Sequence, residues 1–535
     1  MHGRSLLGNR EICRPPRVWQ HGGVASGRRG AIADDARAAE VGPWRSSAEA
    51  GEQARATGGG VGGAESVERR PGAKGNRVGL HTLRTQGRAG VFQRLDHVRR
   101  AARQRKKERF TALFHYVDTD LLRESFFWLQ RKAAAGVDGM TWQDYERDLE
   151  VRLSALHDRL HRGAYRALPS RRQYIAKLDG TQRPLGIAAL EDKIVQRAVV
   201  EVLNAVYEAD FLGFSYGFRP GRGQHDALDA LAVGITRTSV NYIVDADVEK
   251  FFDRLSHDWL MRFAEHRIGD PRILRLIRKW LKAGVMEDGA LTQAETGTPQ
   301  GAVISPLLAN VYLHYVFDLW VQRWRHRQAR GNMIVVRYAE DSVVGFELLA
   351  DAERFLSDMR LRMEQFGLSV HPHKTRLIEF GRHAARRRAK RGLGKPETFN
   401  FLGFTHICGH TRRGKFALQR LTRRDRMQLA LRRLKEQLQR IRHHAIPQQG
   451  ARLRQVVMGY FAYHAVPTNA RRLSAFRHNV IRSWLRSLRR RGQKDSLSWA
   501  RIKRLADQWL PLPRILHPWP EQRFAVTHPR WEPGA

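Results

Sequence analysis

Arg337-Tyr338-Ala339-Glu340-Asp341-Ser342 lies between two short apolar runs, Met333 to Val336 and Val343 to Phe346. Two such runs around a tight polar centre predict a β-hairpin with a pair of neighbouring acids at its tip. Paired carboxylates cannot sit in an apolar core, because they repel one another and must find a cation. The simplest cation is a divalent metal, and Mg²⁺ prefers carboxylate and phosphate oxygens. The turn is therefore read as half of a metal site for phosphoryl transfer. Taken by itself, such a motif is more often an exposed acidic turn, so the rest of the chain has to decide.

A second acidic position is Tyr242-Ile243-Val244-Asp245-Ala246-Asp247-Val248, an apolar strand that ends in acids. An aspartate at the end of a buried strand is costly unless it binds something. Asp247 is the choice for the third metal ligand, ahead of Asp245 and Asp253, which suit capping of the next helix. Upstream, Tyr174 to Ile187 carries Asp179-Gly180 between two extended runs. That pattern predicts a hairpin, with Lys177 and Arg183 on neighbouring strands. Two cations there could hold a triphosphate; otherwise they are a basic hairpin in water. Thr296 to Gly301 is a polar turn, after which Ser305 is expected to cap a helix with Pro306 at its first position. Phe214 to Gly223 mixes aromatics with Arg219 and Arg222, which suits base stacking and phosphate contact or ordinary loop packing.

Charge points the same way. Lys and Arg number 95 against 53 Asp and Glu, a net charge of +42. Such an excess repels itself unless a polyanion neutralises it, so nucleic acid is the expected partner. Two cysteines, Cys13 and Cys408, exclude a disulfide framework or a cysteine-rich zinc module. No stretch has the ~18 uncharged apolar residues of a membrane helix, and no apolar signal core opens the chain. Residues 1–90 are rich in Gly, Arg, Ala and Ser without hydrophobic period, and are expected to be largely disordered. Beyond Phe404 the texture turns to long helices in which arginines interleave with Met427, Leu431, Leu434 and Leu438. That is a module suited to phosphate-backbone contact.

In this order the motifs resemble those of a group II intron-encoded reverse transcriptase and maturase. The resemblance spans about residues 90 to 535. It rests on AGVDG at 135–139, IAKLDGTQRPLGI at 175–187, FSYGFRPGRG at 214–223, DADVEKFFD at 245–253 and TGTPQGAVISPLLANVYL at 296–313. RYAEDSVVGF at 337–346, FNFLGF at 399–404, GYFAYHAVP at 459–467 and HPRWEPGA at 528–535 complete it. The resemblance implies an α+β right-hand polymerase. Fingers and an antiparallel palm sheet would occupy 91–404, and an all-α thumb or maturase domain 405–535. It implies RNA-directed DNA synthesis with two Mg²⁺ ions held by Asp247, Glu340 and Asp341. Lys177 and Arg183 would contact the incoming dNTP, Phe252 would gate against a 2′-OH, Gln300 would belong to the nucleotide turn, and Lys374 would follow the catalytic hairpin. The implied partners are intron RNA, an RNA template with its DNA primer and a DNA target, in a bacterial cytoplasmic ribonucleoprotein.

Glu340 departs from the family, which has aspartate there. Its extra methylene moves the carboxylate by ~1.5 Å, where a preorganised site tolerates ~0.5 Å. Impaired polymerisation is expected, and an RNA-binding maturase with weakened or lost polymerase is the alternative. Ala176 and Ala188 replace prolines usual in the family. No endonuclease domain is expected after the thumb, so mobility would draw on other primers.

Overall fold

The computed structural model describes Gly90 and residues 93–176, 182–293, 295–411, 413–491 and 497–527. The N-terminal segment, Lys177 and the HPRWEPGA motif lie outside the described residues. Eleven strands among the described residues form three sheets. The first has the order β2 (Gln182–Ile187), β1 (Ser170–Ala176), β4 (Val285–Glu287), β5 (Ala290–Thr292). The expected hairpin is its β1–β2 pair, in which Ile175 faces Arg183. The β1–β4 pair is parallel, so this sheet is mixed.

The second sheet is antiparallel throughout and has the order β6 (Met333–Tyr338), β7 (Asp341–Phe346), β3 (Tyr242–Ala246), β8 (Arg376–Glu379). Helix Gln224–Arg237 packs on one face of this sheet, through Leu228, Leu231, Ile243, Val336 and Val343. Helix Leu349–Glu364 also packs against β3 and β7. That cover explains why Ser342 to Phe346 is buried at every position instead of alternating. Gly345 is required in this layer, since a Cβ there would lie 2.8 Å from Ile334 Cγ1.

The third sheet, β11 (Phe416–Thr422), β10 (Phe404–His410), β9 (Phe399–Phe401), changes one boundary. An all-helical region is expected from 405, but β10 and β11 form a hairpin across that position and helices resume only at Arg424. The physical reason is packing: Phe399, Phe401, Phe404 and Leu418 share one apolar cluster with Ile243, Val336 and Ile378 of the second sheet. The helices Arg424–Arg440, Ile446–His464, Ala470–Arg489 and Trp499–Trp509 have their own core, built on Leu434, Leu438, Leu453, Val457, Phe476 and Trp484. Asn469 ties that region to β11 by two hydrogen bonds with Thr422 (2.7 and 3.0 Å). Among the described residues no helix is long and apolar enough to cross a membrane.

Ser305 also differs from expectation. The helix Ser305–Leu313 carries Pro306 in its first turn, but the residue before it, Ile304, is the cap. The Ser305 hydroxyl instead lies 2.6 Å from Thr298 Oγ1 and donates to the Pro299 carbonyl (3.1 Å). It therefore fastens the Thr296–Gly301 turn to the helix rather than closing the helix end.

Candidate active site

The antiparallel register of β3 and β7 pairs Asp245 with Val343 and Ala246 with Ser342. One step further along, the two chains carry Asp247 and Asp341. On the other side Tyr338 pairs with Asp341, leaving Ala339 and Glu340 as a two-residue turn. Such turns need backbone in the left-handed region, and Ala339 takes it with φ +54°. An alanine there is strained, so something must hold it.

The holder is a buried polar network beneath the turn. Arg337, 1% exposed, donates Nε and Nη2 to the two carboxylate oxygens of Asp318 (2.7 and 2.5 Å), itself 0% exposed. Its Nη1 donates to the Ala339 carbonyl (2.9 Å) and to Asn310 Oδ1 (3.1 Å), and its Nη2 also donates to Ser215 Oγ (2.7 Å). Asn310 Nδ2 in turn donates to the Gly217 carbonyl (2.7 Å). Gly217 lies so close under the turn that a Cβ would stand 2.2 Å from the Ala339 nitrogen. Asp318 ends a π-helical segment, His314–Asp318, inside a longer apolar helical run.

Arg219 and Arg222 serve this scaffold rather than a ligand. Arg219 is buried, pairs with Glu208 (2.9 Å) and donates to the Leu212 and Ser215 carbonyls (both 2.8 Å). Arg222 donates to the Ser215 carbonyl (3.1 Å).

The acids feel one another. Asp341 is exposed at the tip, yet the surrounding protein weakens its hydration. That desolvation, with Glu340, Asp247 and Asp245 adding like charge, pushes its carboxyl up to about 7. Burial pushes half-buried Glu340 up as well, opposed by its own backbone N–H and by Arg183. Asp245 is raised to about 6, mainly by burial, against the pull of Arg376 (3.8 Å). Asp247 takes Lys374 as its counter-ion, with Nζ 3.2 Å from Oδ2. The three acids share one end of the sheet without closing on a point. Among the described residues no group of three His, Cys, Asp or Glu side chains is disposed to hold one metal ion. Like charges disfavour one another's ionised forms, and Asp247 takes the Lys374 ammonium instead.

The nucleotide-side residues are also linked. Arg183 Nε donates to Gln300 Oε1 (2.8 Å), and Gly186 N to the Gln300 carbonyl (2.7 Å). Gly301, at φ +112°, is needed because a Cβ would meet the Gly186 oxygen at 2.8 Å. The other end of this turn reaches Phe252, whose carbonyl accepts from Thr298 N (2.8 Å). Phe252 is itself buried, edge-on to Phe251. Sequence reasoning missed Arg337, Asp318, Asn310 and Ser215. The available signal was an arginine in one apolar run and an aspartate in another, each too costly to bury alone.

Residues 175–406, which include the antiparallel sheet and its acidic turn, match the family described as Reverse transcriptase (RNA-dependent DNA polymerase). The chain is 38% identical over 237 residues to protein YkfC of Escherichia coli (strain K12), covering 39% of this chain and 62% of that protein. It is 34% identical over 226 residues to the group II intron-encoded protein LtrA of Lactococcus lactis subsp. cremoris, covering 41% and 37%. To a 91 kDa protein in cob intron of Schizosaccharomyces pombe it is 32% identical over 222 residues, covering 40% and 27%. The chain thus carries a reverse transcriptase domain. Two of these relatives are intron proteins by name, one of a group II intron and one of a cob intron. The matched stretch spans less than two-thirds of each relative's length.

Proposed function

We propose that the protein is the RNA-directed DNA polymerase of a group II intron, which also binds the intron RNA and assists its splicing and mobility. The observation that carries this reading is the β3–β7 register, with Asp247 and Asp341 one step beyond the last strand pair. Asp247, Glu340 and Asp341 would hold two Mg²⁺ ions. The fit lies in the donor set: three mutually repelling carboxylates, one already drawing in a cation. Bound there, the ions would activate a primer 3′-OH and stabilise the leaving pyrophosphate.

The chain's own groups do the positioning. Arg183, oriented by Gln300, offers its remaining guanidinium N–H groups to the dNTP triphosphate, with Lys177 as its expected companion. Phe252 limits room at the sugar 2′ position. Lys374 balances the Asp247 charge from an exposed stem. Arg432, Arg433, Arg440, Arg452, Arg454, Arg482 and Arg486 of the helical region are exposed and suit the RNA backbone. A bacterial cytoplasmic ribonucleoprotein containing template, primer and DNA target completes the reading.

Primer extension on an RNA template with Mg²⁺ tests it. Wild-type protein is expected to extend the primer, and Glu340→Asp to extend it about 10–100-fold faster, because an ångström of misplacement costs about that much. No product from either protein removes the polymerase. Two further outcomes follow from the geometry. Gly217→Ala should slow extension by roughly 10–100-fold by displacing the turn, with RNA affinity kept in a filter-binding assay. Phe252→Ala should raise ribonucleotide incorporation relative to deoxyribonucleotide by about tenfold or more, a ratio set by ~1–3 kcal/mol of pocket fit and read by competing rNTP with dNTP.

A further inference from the structure

Between the end of helix Leu149–His161 and helix Pro271–Lys282 lies a cavity of about 120 Å³. Phe114, Arg162, Tyr165, Arg272, Arg275 and Lys279 line it, and it shares no residue with the acidic turn or with Arg183 and Gln300. Its cations are gathered by local structure. Positions 272, 275 and 279 recur on one face of a helix, a helix started by the Asp270 cap and Pro271. Opposite them, Gly163 at φ +78° turns the chain so that Arg162 and Tyr165 border the same space. Lys279 Nζ is fixed there by the carbonyls of Gly163 (3.4 Å) and Tyr165. The Arg272 guanidinium lies 4.7 Å over the Phe114 ring.

Acids do not balance this group. Asp270 is fully buried, and its oxygens accept from the backbone N–H groups of Leu113 (2.9 Å), Phe114 (2.8 Å) and Arg272 (3.0 Å). It also lies 3.6 Å from Arg272 Nε. The Asp158 carboxylate faces His157 (3.6 Å), and only its backbone carbonyl reaches Arg162 (3.4 Å). Among the described residues, Arg275 and nearby Arg166 have no ion-pair partner. Burial, then Arg275 and Arg166, lower the proton affinity of Lys279, so an anion would relieve real crowding.

We propose that this cavity seats a backbone phosphate of folded RNA, as a contact separate from the one that makes DNA. The inference rests on the reading of the protein as an RNA binder. Size selects the ligand: the space is well below the ~300–1,000 Å³ of small-molecule pockets, yet ample for a phosphate group. Chemistry selects it too, since guanidinium forks match phosphate oxygens in pairs. A nucleoside would not fit, and the exposed rims of both helices leave the ribose and base outside.

The test uses the full chain and a radiolabelled RNA hairpin. Arg275→Gln/Lys279→Gln is compared with Arg278→Gln/Lys282→Gln, an equal charge loss on the same helix outside the cavity. The first pair is expected to weaken hairpin binding about 5–20-fold and to reduce the slope of log affinity against log salt by about 1, the loss of one neutralised phosphate. The second pair should change the affinity less than twofold. Primer extension on a short unstructured template should proceed at the wild-type rate in both. Equal weakening by the two pairs, or none by the first, overturns the proposal. So does a first pair that no longer binds inorganic pyrophosphate while keeping its hairpin affinity, which would make the site one for free anions. The polymerase reading fails separately, through absent extension by wild-type protein, whatever the hairpin result.

Discussion

Arg337→Met is expected to cost about 3–5 kcal/mol of folding stability, the range for breaking a buried ion pair by removing one partner. The reason is the company Arg337 keeps. Its guanidinium satisfies both Asp318 oxygens, Asn310, Ser215 and the Ala339 carbonyl from a position 1% exposed. Removing it strands the Asp318 charge in a medium that cannot solvate it, and releases the Ala339 carbonyl at φ +54°. Urea unfolding followed by tryptophan fluorescence measures the loss. Arg337→Met/Asp318→Leu should recover most of it, because a buried pair replaced by apolar groups of similar volume is often neutral or better. A single variant as stable as the parent would mean that the network does not brace the turn.

Asp341→Asn is expected to lower primer extension on the order of 10³-fold, the scale of losing a charged group that stabilises the transition state. Asp245→Asn is the internal comparison. Asp245 has Arg376 as its counter-ion at 3.8 Å and lies outside the proposed ligand set, so its loss should cost less than about tenfold. The same Asp341 substitution has a stability signature of opposite sign. Asp341 titrates near 7 in the folded chain and near 3.8 when unfolded. The folded state therefore holds the extra proton between those values, and stability is lost as pH rises through 7. In metal-free buffer Asp341→Asn should raise the unfolding midpoint at pH 8 and leave it unchanged at pH 3.5. The carboxylate is open to solvent, which keeps the gain small.

Much of this architecture is written in short-range signals. Apolar runs around Glu340-Asp341 and Asp179-Gly180 predict hairpins, and β6–β7 and β1–β2 pair as expected. The motif order, together with the charge, pointed to a nucleic-acid enzyme, and the matched domain at 175–406 agrees. What the sequence hides is long-range. The Arg337–Asp318 pair joins residues 19 apart, from the end of an irregular helical segment to a strand beyond the next helix, and no local period announces it. Arg219 and Arg222 look available for phosphate in the sequence, but in the fold they are spent on loop carbonyls and Glu208. The β10–β11 hairpin was missed because His406 and Cys408 interrupt its apolar pattern. Its partners in the core, Tyr463 and Val466, come from some 60 residues later in the chain.

In the proposed mechanism Asp247, Glu340 and Asp341 together bind the divalent ions used in DNA synthesis. Mn²⁺ can stand in for Mg²⁺, and the electron paramagnetic resonance signal of free Mn²⁺ reports what is left unbound. The titration is made on the complex with an RNA template, a chain-terminated DNA primer and the next dNTP. Wild-type complex should remove more Mn²⁺ from solution than complexes made with Asp247→Asn or Asp341→Asn, by up to two ions per chain. Superimposable titrations for the three proteins would contradict it.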